Sequence, residues 1–88
     1  MTELTIAIPT YNNHAQLELC LSTLFRFAPG DYQVLVVDNG AKPVNIVMPE
    51  GLGSRVEVLH QGKNLGWCGG LNLALSRCET PLFCMMND

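Results

Sequence analysis

Extended apolar runs recur along this chain and predict four strands. Leu4–Ile8 is a β-favouring run that Pro9 stops. Val34–Val37 has four consecutive aliphatic residues, three of them β-branched, which is typical of a strand buried on both faces. Val56–Leu59 predicts a third strand, and Leu82–Met86, apolar throughout, predicts a fourth.

Between these runs, apolar residues at helical spacing predict two helices. The first helix is predicted over 14–27, with an N-cap at Asn12–Asn13 and Gln16 placed to complete a capping box. A second, shorter helix follows a glycine-containing turn and ends before Pro81. The apolar positions that mark the two helices are Leu17, Cys20, Leu21, Leu24 and Ala28, then Leu71, Ala74, Leu75 and Cys78.

Prolines and glycines break the stretch 39–54, which we interpret as a loop. The resulting order of elements is typical of an α/β fold with a mostly parallel sheet. Open α/β sheets bind ligands where the carboxyl ends of their strands meet. Polar clusters follow every predicted strand and so predict a ligand crevice there: Thr10–Asn12, Asp38–Asn39, His60–Asn64 and Asn87–Asp88.

Composition narrows the possible functions of this chain. Its 88 residues allow one domain, and 48% hydrophobic against 15% charged residues indicates a packed core. The net charge of −3, without a Lys/Arg cluster, argues against binding to nucleic acid. The four cysteines form no C-x-x-C pair, so we expect neither a disulfide nor a zinc site, and Cys20 and Cys84 are expected to be buried.

The sequence carries no targeting or membrane-spanning signal that we can identify. The first residues lack a basic region, and no apolar run is long enough to cross a bilayer. We therefore expect a cytoplasmic protein, with the cytoplasmic face of a membrane as the alternative location.

Several familiar catalytic motifs are absent from the sequence. Gly62-Lys63 is followed by Asn64 rather than Ser or Thr, so there is no P-loop, and no G-x-G-x-x-G follows the first strand. There is no G-x-S-x-G elbow, and neither histidine has a nucleophile beside it. We expect His14 to be solvated in the first helical turn. His60 lies at a strand end and is a weak candidate for ligand contact.

Four segments in combination resemble the nucleotide-binding half of the family 2 (GT-A fold) glycosyltransferases. In chain order they are Ile8–Asn12, Val36–Gly40, Asn64–Gly66 preceding Asn72, and Met85–Asp88. The resemblance covers essentially the whole chain, but only the first part of such an enzyme. It implies a three-layer α/β/α, Rossmann-like sheet of order 3-2-1-4, with the two helices on opposite faces.

The same resemblance implies a binding site for a nucleotide-sugar donor. The side chains it places around the base and ribose are Pro9, Thr10, Tyr11 and Asn12. Asp38, which Asn39 follows, would accept a hydrogen bond from the base. The Tyr11 ring would stack on the flat face of the base. The alternative for this segment is a simple turn, because Asp, Asn and Gly all favour turns.

Residues 62–70 resemble the Asn-x-Gly loop that leads into a helix in this family. The matched positions are Asn64, Gly66 and Asn72, while Leu71 departs from the pattern because many members carry Arg there. Glycines allow close approach of the backbone, and a helix N-terminus presents N–H groups to a diphosphate. Lys63 would add positive charge. The alternative is a glycine-rich turn with Trp67 as a hydrophobic lid.

Asn87-Asp88 resembles the start of the family's D-x-D element, which holds Mg²⁺ or Mn²⁺ against the diphosphate. Asn87 would contact the nucleotide-sugar, and Asp88 would be either a metal ligand or a neighbour of the ribose. We expect residues 1–88 to form a single donor-binding domain truncated at this element, with the catalytic base beyond residue 88. A frayed polar end is the alternative.

Two classes of function follow from these observations. The first is the donor-binding part of a glycosyltransferase that moves a sugar from a UDP-, GDP- or dTDP-sugar to a hydroxyl acceptor in glycan or polysaccharide synthesis. The second is a non-catalytic nucleotide-binding or assembly module that pairs with itself or another subunit through its edge strand. Residues 82–86 favour such pairing because they lack the charge or proline that usually protects an edge.

A nucleotidyltransferase relative is a third, less favoured class. It would need a basic glycine-rich loop after the first strand, which the sequence lacks. The base, the sugar, the acceptor and the stereochemical outcome stay open at this point.

Overall fold

The computed structural model of the chain describes residues 2–40, 43 and 55–87. Within them the strands are β1 (Leu4–Thr10), β2 (Tyr32–Asp38), β3 (Val56–His60) and β4 (Leu82–Met85), and the helices are α1 (His14–Phe27) and α2 (Gly66–Arg77). All strand pairs are parallel and the order is β3-β2-β1-β4. The predicted α/β class and the 3-2-1-4 order are confirmed. Most of the predicted 39–54 loop lies outside the described residues.

Each face of the sheet carries its own hydrophobic cluster, because successive strand residues point to opposite faces. The first cluster packs β1 and β2 against α1 and contains Ile6, Ile8, Leu17, Leu21, Tyr32, Val34 and Val36. The second packs the other face against α2 and contains Ala7, Leu35, Val37, Leu59, Leu71 and Ala74. The helices therefore cover opposite faces, and Val34–Val37 is buried on both sides as predicted.

Strand β1 continues beyond Pro9, where the sequence predicts a stop. The carbonyl of Ala7 accepts from the Met86 N–H at 2.9 Å, so Ala7 faces β4, and Pro9, two residues later, turns its nitrogen the same way. The register with β4 ends at Ala7↔Met85, so no donor is needed at Pro9. Proline is tolerated at such a position because it removes no ladder hydrogen bond.

Helix α1 begins and ends at the predicted residues, and His14 is exposed in its first turn. The predicted side-chain cap is wrong, because Asn13 makes no side-chain cap hydrogen bond. The first turn is closed by the backbone instead, with the Leu17 N–H donating to the Asn13 carbonyl at 3.0 Å.

Helix α2 begins at Gly66, several residues before the apolar spacing predicts. Glycine disfavours a helix interior by about 1 kcal/mol relative to alanine. Gly70 is nevertheless buried, and a Cβ at this position would lie 3.4 Å from Asn39 Nδ2 and 3.5 Å from Pro9 Cβ. Close packing of α2 on the strand ends therefore outweighs the local propensity.

Strand β4 lies at an edge of the sheet, as expected, and presents apolar side chains to solvent. Leu82 is 58% exposed and Met85 57% exposed. Cys84 is also exposed, so its predicted burial is wrong, whereas Cys20 is partly buried against the α1 cluster. The four cysteines are free. Within the described residues, neither helix is long and apolar enough to cross a membrane.

Arg55 joins β2 and the end of α1 through its guanidinium group. The guanidinium carbon lies 4.4 Å from the ring centroid of Tyr32 and 4.9 Å from that of Phe25. Its Nη2 donates to the Gly30 carbonyl at 2.7 Å and its Nε to the Tyr32 carbonyl at 3.2 Å. One side chain thus holds the turn between α1 and β2 by both cation–π contact and hydrogen bonds.

We predict that Arg55→Met lowers the free energy of unfolding by about 1–3 kcal/mol, because both kinds of contact are lost. The free energy of unfolding of Arg55→Lys should lie between those of the wild type and Arg55→Met, since an ammonium group keeps the charge but cannot reproduce the planar stack. Arg26, whose guanidinium carbon lies 5.2 Å from the Phe27 ring on the exposed end of α1, is the matched control. Urea unfolding measures all three variants, and equal losses for Arg55→Met and Arg26→Met would contradict the assignment.

Candidate functional site

The register of the sheet brings three polar residues into a row at its carboxyl edge. Thr10 of β1 pairs with Asp38 of β2, and Asp38 pairs with His60 of β3. Helix α2 begins a few residues after His60. The ligand edge predicted from the chain order is therefore assembled from β1, β2, β3 and the start of α2.

A cavity of ≈ 320 Å³ opens at this edge. It is lined by Pro9, Thr10, Tyr11, Asn13, Asn39, Asn64, Gly66, Trp67 and Asn87. The structure thus brings together most of the predicted site residues. It adds Asn13 and Trp67, which the predicted set lacks; a large aromatic side chain in the glycine-rich segment 62–70 was the signal for the second.

Asn39 connects the ends of β1 and β2 to the start of α2. It is 4% exposed, and its N–H donates to the Thr10 carbonyl at 2.9 Å. Its side-chain Oδ1 accepts from the Leu65 N–H, directly before α2, at 3.2 Å. Asn39 therefore fixes the distance between β1, β2 and the N-terminus of α2, and this fixes the width of the cavity.

The start of α2 is shaped by Asn64 and Gly66. Gly66 has a φ of +73°, a left-handed conformation that glycine adopts without strain. Its N–H donates to Asn64 Oδ1 at 2.8 Å. The turn that precedes the helix is therefore locked by a side chain that also lines the cavity.

Asp38 is fully buried beside the cavity rather than in its lining. Its Oδ1 accepts from the Gly40 N–H at 3.0 Å, and its Oδ2 lies 2.9 Å from His60 Nδ1. Removing a carboxylate from water is costly unless it is paired and hydrogen-bonded. These two contacts meet that requirement and make His60 part of the site's support.

Asn12 lies over Gly40 at the end of β1. Its φ of 49° is in the left-handed region, which Asn tolerates better than most residues. A Cβ at Gly40 would lie 2.5 Å from Asn12 Oδ1 and 3.2 Å from Asp38 Oδ1. Glycine is thus required here for close approach, and Asn12 stands over the Asp38 turn instead of lining the cavity.

Asn72 is the other described site residue that the cavity lining does not include. Asn72 is exposed in α2, and its contact with a ligand stays a prediction. Asp88, the predicted metal ligand, lies outside the described residues. Across 2–40, 43 and 55–87, no group of three His, Cys, Asp or Glu side chains is placed to hold a metal ion. The Asn87 side chain alone is an incomplete donor set for Mg²⁺ or Mn²⁺.

Two exposed aromatic side chains line the cavity. Tyr11 follows β1 and is 56% exposed, and Trp67 in the first turn of α2 is 47% exposed. Neither ring belongs to the hydrophobic clusters of the sheet. Large aromatic groups left partly in water beside a cavity are suited to stacking on a flat ligand.

A second cavity, of ≈ 390 Å³, lies at the amino edge of the sheet. Its lining includes Glu57, Glu79 and Arg77, so carboxylates outnumber cations among the described residues there. At the same edge, the hydrogen bond with the Thr80 hydroxyl lowers the pKa of the Cys78 thiol. Because Glu57 and Glu79 repel negative charge, an anionic ligand is disfavoured at the amino edge.

Comparison with known proteins agrees with this arrangement. The model of the family described as "Glycosyl transferase family 2" matches residues 5–88, which is nearly the whole chain. No curated protein matches the sequence significantly.

We predict that His60→Leu lowers the free energy of unfolding by about 1–3 kcal/mol, because buried Asp38 loses one of its hydrogen-bond partners. His60→Asn retains an N–H donor and should recover part of that loss. Urea unfolding measures both variants. A stability of His60→Leu equal to that of the wild type would show that the contact with Asp38 is not needed.

Proposed function

The chain belongs to glycosyl transferase family 2, and we propose that it supplies the donor-binding part of a glycosyltransferase. The carboxyl-edge cavity would hold the nucleoside diphosphate of a UDP-, GDP- or dTDP-sugar. The sugar would pass to a hydroxyl acceptor in glycan or polysaccharide synthesis. The observation that carries the proposal is the meeting of an exposed Tyr11, the amide groups of Asn39 and Asn64, and the start of α2 around one cavity.

The diphosphate suits the α2 side of the cavity. A helix N-terminus carries a partial positive charge, which favours phosphate oxygens. The N–H groups of Leu65 and Gly66 are already bonded to Asn39 and Asn64, so the helix start is held rigid before any ligand arrives. Exposed Lys63, in the same loop, would add attraction for a phosphate.

The base suits the β1 and β2 side. Tyr11 offers an exposed ring for stacking. Asp38, at the end of β2, is buried directly beside the cavity, where its carboxylate accepts from the Gly40 N–H and is paired with His60. We keep Asp38 as the proposed acceptor for the base because the family resemblance places it there, with His60 holding the carboxylate in place.

A divalent metal is part of this proposal, with Asn87 and Asp88 as the residues that would hold it. When bound, Mg²⁺ or Mn²⁺ would neutralise charge on the departing nucleoside diphosphate. Asn87 supports the idea because it lines the cavity. We also propose a cytoplasmic location, at which nucleotide-sugars would be accessible to the site.

The exposed edge of β4 favours a second function, that of an assembly module. Among the described residues, β4 pairs on one side only, and Leu82 and Met85 offer apolar side chains there, a surface suited to pairing with a second copy. Analytical ultracentrifugation distinguishes the two functions when combined with nucleotide titration: an oligomer that binds no nucleotide would favour the assembly module.

We predict that calorimetric titration detects binding of at least one of UDP, GDP, CDP and dTDP, and that Mn²⁺ strengthens it. Tyr11→Leu should weaken binding roughly 5- to 100-fold, the range expected for a lost base–aromatic stack. Phe27→Leu is the matched control, because Phe27 is an aromatic residue 72% exposed outside the cavity. Folded protein that binds none of the four nucleotides would exclude the donor site.

A further inference from the structure

We propose that Trp67 is a second aromatic contact for the nucleotide base, acting together with Tyr11. The inference rests on the proposed function and adds to it a residue that determines affinity for the base. Trp67 lines the same cavity as Tyr11 and is likewise exposed by about half, at 47%. The occupant of a cavity with two such rings is expected to offer a π-face of its own.

Trp67 is packed only in part, with 47% of its surface exposed. The α2 side of the sheet is covered by Leu71 and Ala74, with Leu73 packed beside them, and Trp67 belongs to neither hydrophobic cluster. An indole buries a large apolar area when it finds a partner, so leaving it half in water gives up stabilisation that a bound ligand can restore.

The backbone beneath Trp67 is held before a ligand binds. The residue immediately before it, Gly66, donates its N–H to Asn64 Oδ1 at 2.8 Å, and Leu65 donates to Asn39 Oδ1 at 3.2 Å. Both acceptors come from side chains that line the cavity. A ring on a fixed backbone loses less conformational freedom on binding, which favours a role in recognition.

The base is a better occupant for this ring than the sugar. A pyranose presents mainly hydroxyl groups, whereas a base presents a flat aromatic face. Among the described residues that line this cavity, two are aromatic and none is a carboxylate. A heteroaromatic base matches both features, because it stacks on aromatic faces whatever its identity.

Trp67 is the chain's one tryptophan, so its fluorescence reports directly on this contact. We would titrate the protein with UDP, GDP and dTDP, and with inorganic pyrophosphate, which lacks a base, while calorimetry measures binding in parallel. The nucleotide that binds should change Trp67 emission saturably, with the same Kd as calorimetry, and pyrophosphate should leave emission unchanged. Binding by calorimetry without any change in emission or in acrylamide quenching would overturn the inference.

Variants test the same contact without a spectroscopic signal. Trp67→Leu should weaken nucleotide binding roughly 5- to 100-fold, Trp67→Phe should weaken it less, and Phe27→Leu should leave it unchanged. Circular dichroism confirms that each variant is folded. Wild-type affinity in folded Trp67→Leu would overturn this inference alone, whereas absence of nucleotide binding to the wild-type protein would overturn the proposed function and this inference with it.

Discussion

The structure depends on two polar residues that are buried together at the end of β2. Asp38 and Asn39 are 0% and 4% exposed, so each polar atom needs a partner within the protein. Those partners come from β1, β3, the Gly40 turn and the residue before α2. Satisfying one buried dipeptide therefore fixes how three strand ends and a helix meet, and the cavity is the space that this arrangement leaves.

This constraint also explains why the two edges of the sheet differ. At the carboxyl edge, amide groups and aromatic rings surround a cavity whose neighbouring carboxylate, Asp38, is already paired with His60. At the amino edge, Glu57 and Glu79 line the larger cavity directly. A nucleoside diphosphate carries both negative charge and a flat base, so charge and shape together favour the smaller cavity.

Much of the fold could be predicted from the residues because strong local signals agree with the tertiary structure. Val34–Val37 and the spacing of α1 are such signals. Pro9 and the early start of α2 could not be predicted, because a proline is acceptable where β4 has ended and glycines are acceptable where a helix packs closely on strand ends. Both facts depend on neighbours distant in sequence. Trp67 was missed for the same reason, since only the assembled cavity distinguishes a ligand contact from a lid.

The most direct test of this account is the backbone amide NMR spectrum of the ¹⁵N-labelled protein during titration with the nucleoside diphosphate that binds. The account predicts shift changes concentrated at Tyr11, Asn39, Gly66 and the Trp67 indole, around the carboxyl-edge cavity. It predicts unchanged signals at Gln33 and Glu79, at the opposite edge. Changes centred on the amino-edge cavity, with the carboxyl edge unaffected, would contradict it.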